Sequence, residues 1–128
     1  MVIVDSDVWI TYLRRPNARA GRELASLLEK REATMVGVVM AEVLQGARSP
    51  QEFGELLRLL EQLPYLEAGK AAWVRAGELS RQLRGQGRPI PLTDLLIAAL
   101  ALEHGCAVYT LDEHFRRIPG VALHKGGG

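Results

Sequence analysis

Val2-Ile3-Val4-Asp5-Ser6-Asp7-Val8-Trp9-Ile10 opens the chain, and its reading decides the fold. Three apolar residues in a row suit a short strand buried on both faces. Asp5 closes that run, and Val8, Trp9, Tyr12 and Leu13 then fall at helical spacing until Arg14, Arg15 and Pro16 interrupt it. A strand that runs directly into a helix is the opening of an alternating α/β chain.

The same alternation continues outward from that stretch. A helix predicted around Ala18–Arg31 puts Leu24, Leu27 and Leu28 on one face, and Thr34-Met35-Val36 reads as a second strand. Gly37 leads into a helix that carries Glu42 in its first turns and ends near Gly46. Ser49-Pro50-Gln51-Glu52 is a helix start, with Ser49 as cap, Pro50 at the first helical position and Glu52 completing a capping box. The stripe Phe53, Leu56, Leu57, Leu60, Leu63 that follows suits core or a partner surface. Tyr65-Leu66 is a brief third strand, and Lys70 to Arg84 repeats helical spacing. After the Gly85–Pro91 loop, Thr93 is placed to cap an almost wholly apolar helix, Asp94–His104, which Gly105 stops. Ala107–Thr110 forms a strand, Asp112–Arg117 a helical turn and Val121–Leu123 an edge strand. The expectation is one three-layer α/β/α domain, residues 1–125, on a mainly parallel sheet of about five strands, with a flexible glycine tail at 126–128.

Composition narrows the class. A chain of 128 residues with 48% hydrophobic and 24% charged residues suits a single globular domain. A net charge of +1 neither demands nor excludes a nucleic-acid partner. The one cysteine, Cys106, rules out an intrachain disulfide and fits a reducing interior. The apolar start is too short for a signal peptide, and no run approaches membrane-spanning length, so a cytoplasmic location is expected.

Four acids punctuate this pattern: Asp5, Glu42, Asp94 and Asp112. In a parallel sheet, positions just past the strand carboxyl ends meet in one crevice. Carboxylates about 5 Å apart repel by roughly 3 kcal/mol per pair at an effective dielectric near 20. Such a cluster persists only when protonated or neutralised by cations, and oxygen ligands suit Mg²⁺ or Mn²⁺. Helix-start acids favoured by the helix dipole are the bland alternative, credible for Asp94 or Glu42 singly but poor for the ordered set. The combination points to metal-dependent phosphodiester chemistry.

Val4-Asp5-Ser6-Asp7-Val8-Trp9-Ile10, Ala41-Glu42-Val43-Leu44-Gln45-Gly46, Thr93-Asp94-Leu95-Leu96-Ile97-Ala98-Ala99 and Thr110-Leu111-Asp112-Glu113-His114-Phe115 resemble, in order and spacing, the successive motifs of PIN-domain ribonucleases. The resemblance spans essentially the whole chain and is nearest to the VapC-type toxins of toxin–antitoxin pairs. It implies that Asp5, Glu42, Asp94 and Asp112 are catalytic acids holding one or two divalent ions, Mg²⁺ or Mn²⁺, with Thr110 supporting them. It further implies an RNA substrate cut by metal-activated water, a homodimer, and an antitoxin protein that inserts a peptide into the groove. Asp7 is read either as a supporting or ligating acid or as a helix cap, and Ser6 as a hydrogen-bond donor to a phosphate or to the turn backbone. Two positions depart from the family. His114 stands where many members carry an acid, which leaves a fifth ligand there open; it reads first as an exposed histidine on a helical turn and second as an aid to proton transfer near neutral pH. Gly37 stands where a serine or threonine is frequent.

Arg14, Arg15 and Arg88 are weak candidates for RNA contacts, because solvated helix faces explain such charges equally well. Asp5-Ser6-Asp7 also resembles the acid pair of haloacid-dehalogenase-like phosphatases, with Thr110 as a phosphate-binding hydroxyl. That reading leaves Glu42 unused and finds no clear lysine motif. A non-catalytic PIN module for RNA binding is the other alternative, and it usually goes with decay of the acidic set.

Overall fold

The computed structural model describes residues 1–125, and the glycine tail expected at 126–128 lies outside the described residues. Four strands form the sheet: β1 (Val2–Val4), β2 (Ala33–Val36), β3 (Tyr65–Leu66) and β4 (Ala107–Tyr109). Their order is β3-β2-β1-β4 and every pairing is parallel. The first strand therefore lies inside the sheet, with Val2 opposite Ala33 on one side and Ala107 on the other. Burial on both faces explains its unbroken apolar run, since Ile3 and Val4 are fully enclosed.

Helices α1 (Ser6–Arg14), α2 (Arg19–Glu29), α3 (Gly37–Leu44), α4 (Pro50–Leu60), α5 (Lys70–Gly85) and α6 (Leu92–His104) flank the sheet, and a 3-10 turn spans Glu113–Arg117. α1 packs on α2 and α3, while α5 pairs with α6. Leu95 to Ala101 are buried without interruption, so α6 is the central helix its composition predicts. Gly105 ends α6 in the left-handed region at φ 65°, where a side chain is strained. Ser49 caps α4 by accepting the Glu52 amide at 3.1 Å. Among the described residues no helix is long and apolar enough to cross a membrane.

Three expectations change. The edge strand at Val121–Leu123 shrinks to a single parallel bridge between Val108 and Leu123, leaving four strands where about five were expected. Thr93 does not cap α6. Pro91, with its fixed φ of −53°, starts the helix at Leu92, and its carbonyl accepts the Asp94 and Leu95 amides. Glu42 falls beyond the first turn of α3, because that helix begins at Gly37 directly after β2. The α4 stripe, read as core or a partner surface, divides between the two environments: Leu60 is buried in the core, whereas Phe53 stands exposed.

Candidate active site

All four strands point the same way, so their carboxyl ends share one edge, and the motif residues gather there. Asp5 follows β1 directly and Thr110 follows β4, while Asp94 occupies the first turn of α6. The Asp5 amide donates to the Tyr109 carbonyl at 2.8 Å, which locks the two strand ends side by side. Asp5 is only 6% exposed. Its Oδ1 accepts the Ser6 amide at 2.8 Å as the cap of α1, and its Oδ2 accepts the Thr110 hydroxyl at 2.8 Å.

Thr110 organises the acids around it. Its hydroxyl has one proton, given to Asp5, and it accepts the Asp112 amide at 3.0 Å. It also approaches Asp7 Oδ2 at 3.4 Å. Asp7 does not cap its own helix; that position is taken by Asp5. Instead, Asp7 Oδ2 accepts the Leu111 amide at 3.1 Å and ties α1 to the loop after β4. Asp112 caps the 3-10 turn by accepting the His114 amide at 2.9 Å.

The electrostatics show how closely the acids interact. Burial is the largest cause raising the Asp5 carboxyl, opposed by the hydrogen bonds from Thr110 and Ser6, while Asp112 pushes it further up. Asp94 is raised from 3.8 to about 6, first by burial and then by Asp5, Asp112 and Glu42, with His114 pulling the other way. Glu42 is raised by burial and by Asp5, and a hydrogen bond from the Ser6 side chain holds it down. Ser6 thus serves Glu42, a role absent from its sequence reading. Asp7 is also raised to about 6, by burial and then by Asp5. Burial first, and then the charges of Asp5, Asp112 and Glu42, make this edge a focus of negative charge, which a proton or a cation relieves.

The donor chemistry fits a divalent cation. Asp94, Asp112 and His114 offer ligand atoms that all lie within 4.8 Å of one another. His114 is therefore not the free, exposed histidine that its sequence context suggests. Its Nδ1 lies 3.3 Å from Asp112 Oδ2 and 3.9 Å from Asp94 Oδ2. The signal that could have found it is the turn itself: capping by Asp112 brings the residue two positions on back over the capping carboxylate.

Two recesses flank the acids. One, about 440 Å³, runs from Ile10, Leu13 and Arg14 of α1 past Glu42 to Arg48 and the α4 residues Glu52, Glu55 and Leu56. The other, about 670 Å³, includes Thr110, Asp112, Glu113, Arg116, His124 and Lys125. Arg14 lines the same recess as Glu42, whereas Arg15 and Arg88 are exposed and line neither recess. Sequence reading passed over Arg48, Arg116 and Lys125, whose positions depend on how distant segments meet. Of the aromatics, Trp9 is fully buried and Trp73 is 53% exposed.

The family model for the PIN domain matches residues 2–121. Ribonuclease VapC11 of Mycobacterium tuberculosis is 32% identical over 119 residues, covering 90% of this chain and 89% of that protein. Ribonuclease VapC10 of the same organism is 35% identical over 112 residues, covering 88% of this chain and 83% of that protein. Among solved structures, VapBC2 from Rickettsia felis, bound to a DNA fragment from its promoter, superposes with a TM-score of 0.81 at 22% identity. That match covers 97% of this chain and 98% of the other.

Proposed function

The chain belongs to the PIN-domain family, and from that premise we propose that it is a metal-dependent endoribonuclease, the toxin half of a toxin–antitoxin pair. The observation that carries this reading is the convergence of Asp5, Glu42, Asp94 and Asp112 on one edge of the sheet, each of the first three with a raised carboxyl. The ribonuclease names of relatives that match most of its length support the substrate class.

In the proposed mechanism Asp5, Glu42, Asp94 and Asp112 would hold Mg²⁺ or Mn²⁺, one or two ions per site. Bound divalent ions supply charge neutralisation, acidify the attacking water and stabilise the departing 3′ oxygen. The protein's part is placement. Thr110 fixes the Asp5 carboxylate through Oδ2, and the Ser6 amide fixes it through Oδ1, so its remaining lone pairs are aimed rather than free. Thr110 holds Asp112 as well, by accepting its amide. Ser6 positions Glu42, and Asp7 braces the loop that carries Thr110 and Asp112. Arg14, in the same recess as Glu42, guides the RNA backbone, with Arg15 and Arg88 as outer contacts. A phosphatase using Asp7 as acid and base fits less well, since it leaves unused Glu42, whose carboxyl shares the field of Asp5.

The partners proposed are RNA, a cognate antitoxin entering the recess beside Glu42, and a second copy of the chain; the proposed location is the cytoplasm. Incubation of the purified chain with end-labelled RNA and Mn²⁺ tests the reaction. Cleavage should leave 5′-phosphate and 3′-hydroxyl ends, stop in EDTA, and be lost in folded Asp5→Asn protein. A 2′,3′-cyclic phosphate product, or cleavage that survives chelation, would overturn it. Sequencing RNA ends after induced expression identifies the target, and the neighbouring reading frame checks the antitoxin.

A further inference from the structure

We propose that His114 is a nitrogen ligand of the cation held by this site, and that it biases the site towards Mn²⁺ over Mg²⁺. The inference rests on the metal-dependent reading above and assigns a residue where many PIN domains carry an acid.

Three observations converge on the ring. Nδ1 of His114 is shielded from solvent and makes no hydrogen bond among the described residues. It nevertheless lies 3.3 Å from Asp112 Oδ2 and 3.9 Å from Asp94 Oδ2. A protonated Nδ1 serving as a counter-ion would direct its N–H at one of those oxygens; here the approach is close but not so directed. The backbone holds the ring in place, because the His114 amide donates to Asp112 Oδ1 at 2.9 Å. One residue thus meets both oxygens of the Asp112 carboxylate, through its amide and its ring.

The spacing suits shared ligation. Donors about 2.1 Å from an octahedral ion lie about 3 Å apart when adjacent and about 4.2 Å apart when opposite. The Nδ1 separations of 3.3 and 3.9 Å fall in that range. With Nδ1 turned inward, Nε2 carries the ring proton towards solvent, and the side chain keeps 40% of its exposure. Mg²⁺ favours an all-oxygen shell and releases its water reluctantly, whereas an imidazole donor favours first-row transition ions. An aspartate at this position completes an oxygen shell; the histidine replaces one oxygen by nitrogen.

Pulsed electron paramagnetic resonance of the metal-stripped full chain reloaded with Mn²⁺ tests this without reference to activity. Wild-type protein should show a directly bonded ¹⁴N coupling, which His114→Asp loses while still binding Mn²⁺. His104 and His124 remain in that variant and control for other imidazoles. Titration with Mg²⁺, following release of free Mn²⁺, should show the Mn²⁺-over-Mg²⁺ affinity ratio falling about tenfold in His114→Asp, the scale on which a well-placed group matters at a metal site. If Mn²⁺ binds wild type without nitrogen coupling, or the coupling persists in His114→Asp, the ligand role is overturned and the metal-dependent reading stands. If wild type binds no Mn²⁺, both fall.

Discussion

Replacing Asp94 by asparagine puts the electrostatic account of the site to a quantitative test. The folded protein holds a proton on Asp94 up to about pH 6, against an ordinary value of 3.8. Between those values folding takes up a proton, so stability falls as pH rises and the loss is complete above the folded value. A shift of this size corresponds to about 3 kcal/mol. The Asp94 side chain keeps 18% of its exposure, and solvent screening brings the expected effect to about 1–2 kcal/mol. Asparagine keeps the shape and removes the charge. In EDTA at about pH 7.5 the variant should therefore be more stable than wild type, with a melting temperature higher by about 3–8 °C. Near pH 4 the two should melt close together, because the wild-type carboxyl is then largely protonated in the folded state. Millimolar Mn²⁺ should reverse the order, since cation binding stabilises the wild type by mass action. Thermal melts at both pH values, with EDTA and with Mn²⁺, make the measurement. A variant no more stable than wild type at the higher pH in EDTA would refute the claim that Asp94 bears the repulsion of its neighbours.

Thr110→Val removes the proton given to Asp5 and leaves the Asp112 amide unpaired; cleavage should drop by about 10- to 100-fold, and urea unfolding should show a stability loss of about 1–3 kcal/mol. Asp7→Asn keeps an acceptor for the Leu111 amide, so cleavage assays should retain about a tenth or more of the wild-type rate, whereas a catalytic Asp7 would leave none. Gly105→Ala forces a side chain into the left-handed region at φ 65° and should lower the denaturant midpoint by an amount equivalent to about 1 kcal/mol without changing the cleavage rate.

The sheet and its acidic edge were legible because their signals are local. An apolar triplet followed by Asp5, the Ser49 cap and the Gly105 stop each carry their meaning within a few residues. The misreadings share a different physics. Thr93 is a good capping residue, but the rigid backbone of Pro91 starts the helix before it. Asp7 is not misread but left open between helix cap and supporting acid, and the fold decides: Asp5 caps α1 and Asp7 bonds to Leu111, over a hundred residues away in sequence. Which way His114 faces follows from the curl of the 3-10 turn over Asp112, and which arginines flank the site follows from how α1, α3 and α4 meet. Side-chain direction and the company of remote segments are tertiary properties, and no local pattern records them.

The interior position of β1 also bears on when the activity can arise during synthesis. Asp5 leaves the ribosome early, but Thr110, which holds its carboxylate, follows 105 residues later. Until then β1 can pair with β2 and has no β4 on its other side. At about 5–20 residues per second the interval is roughly 5–20 s. A growing chain therefore carries Asp5 before the hydroxyl and the strand that fix it. A transcript broken ahead of the Thr110 codon yields a polypeptide that lacks this hydroxyl and Asp112 together. Translation order thus sets when the Asp5 carboxylate first finds the hydroxyl that holds it.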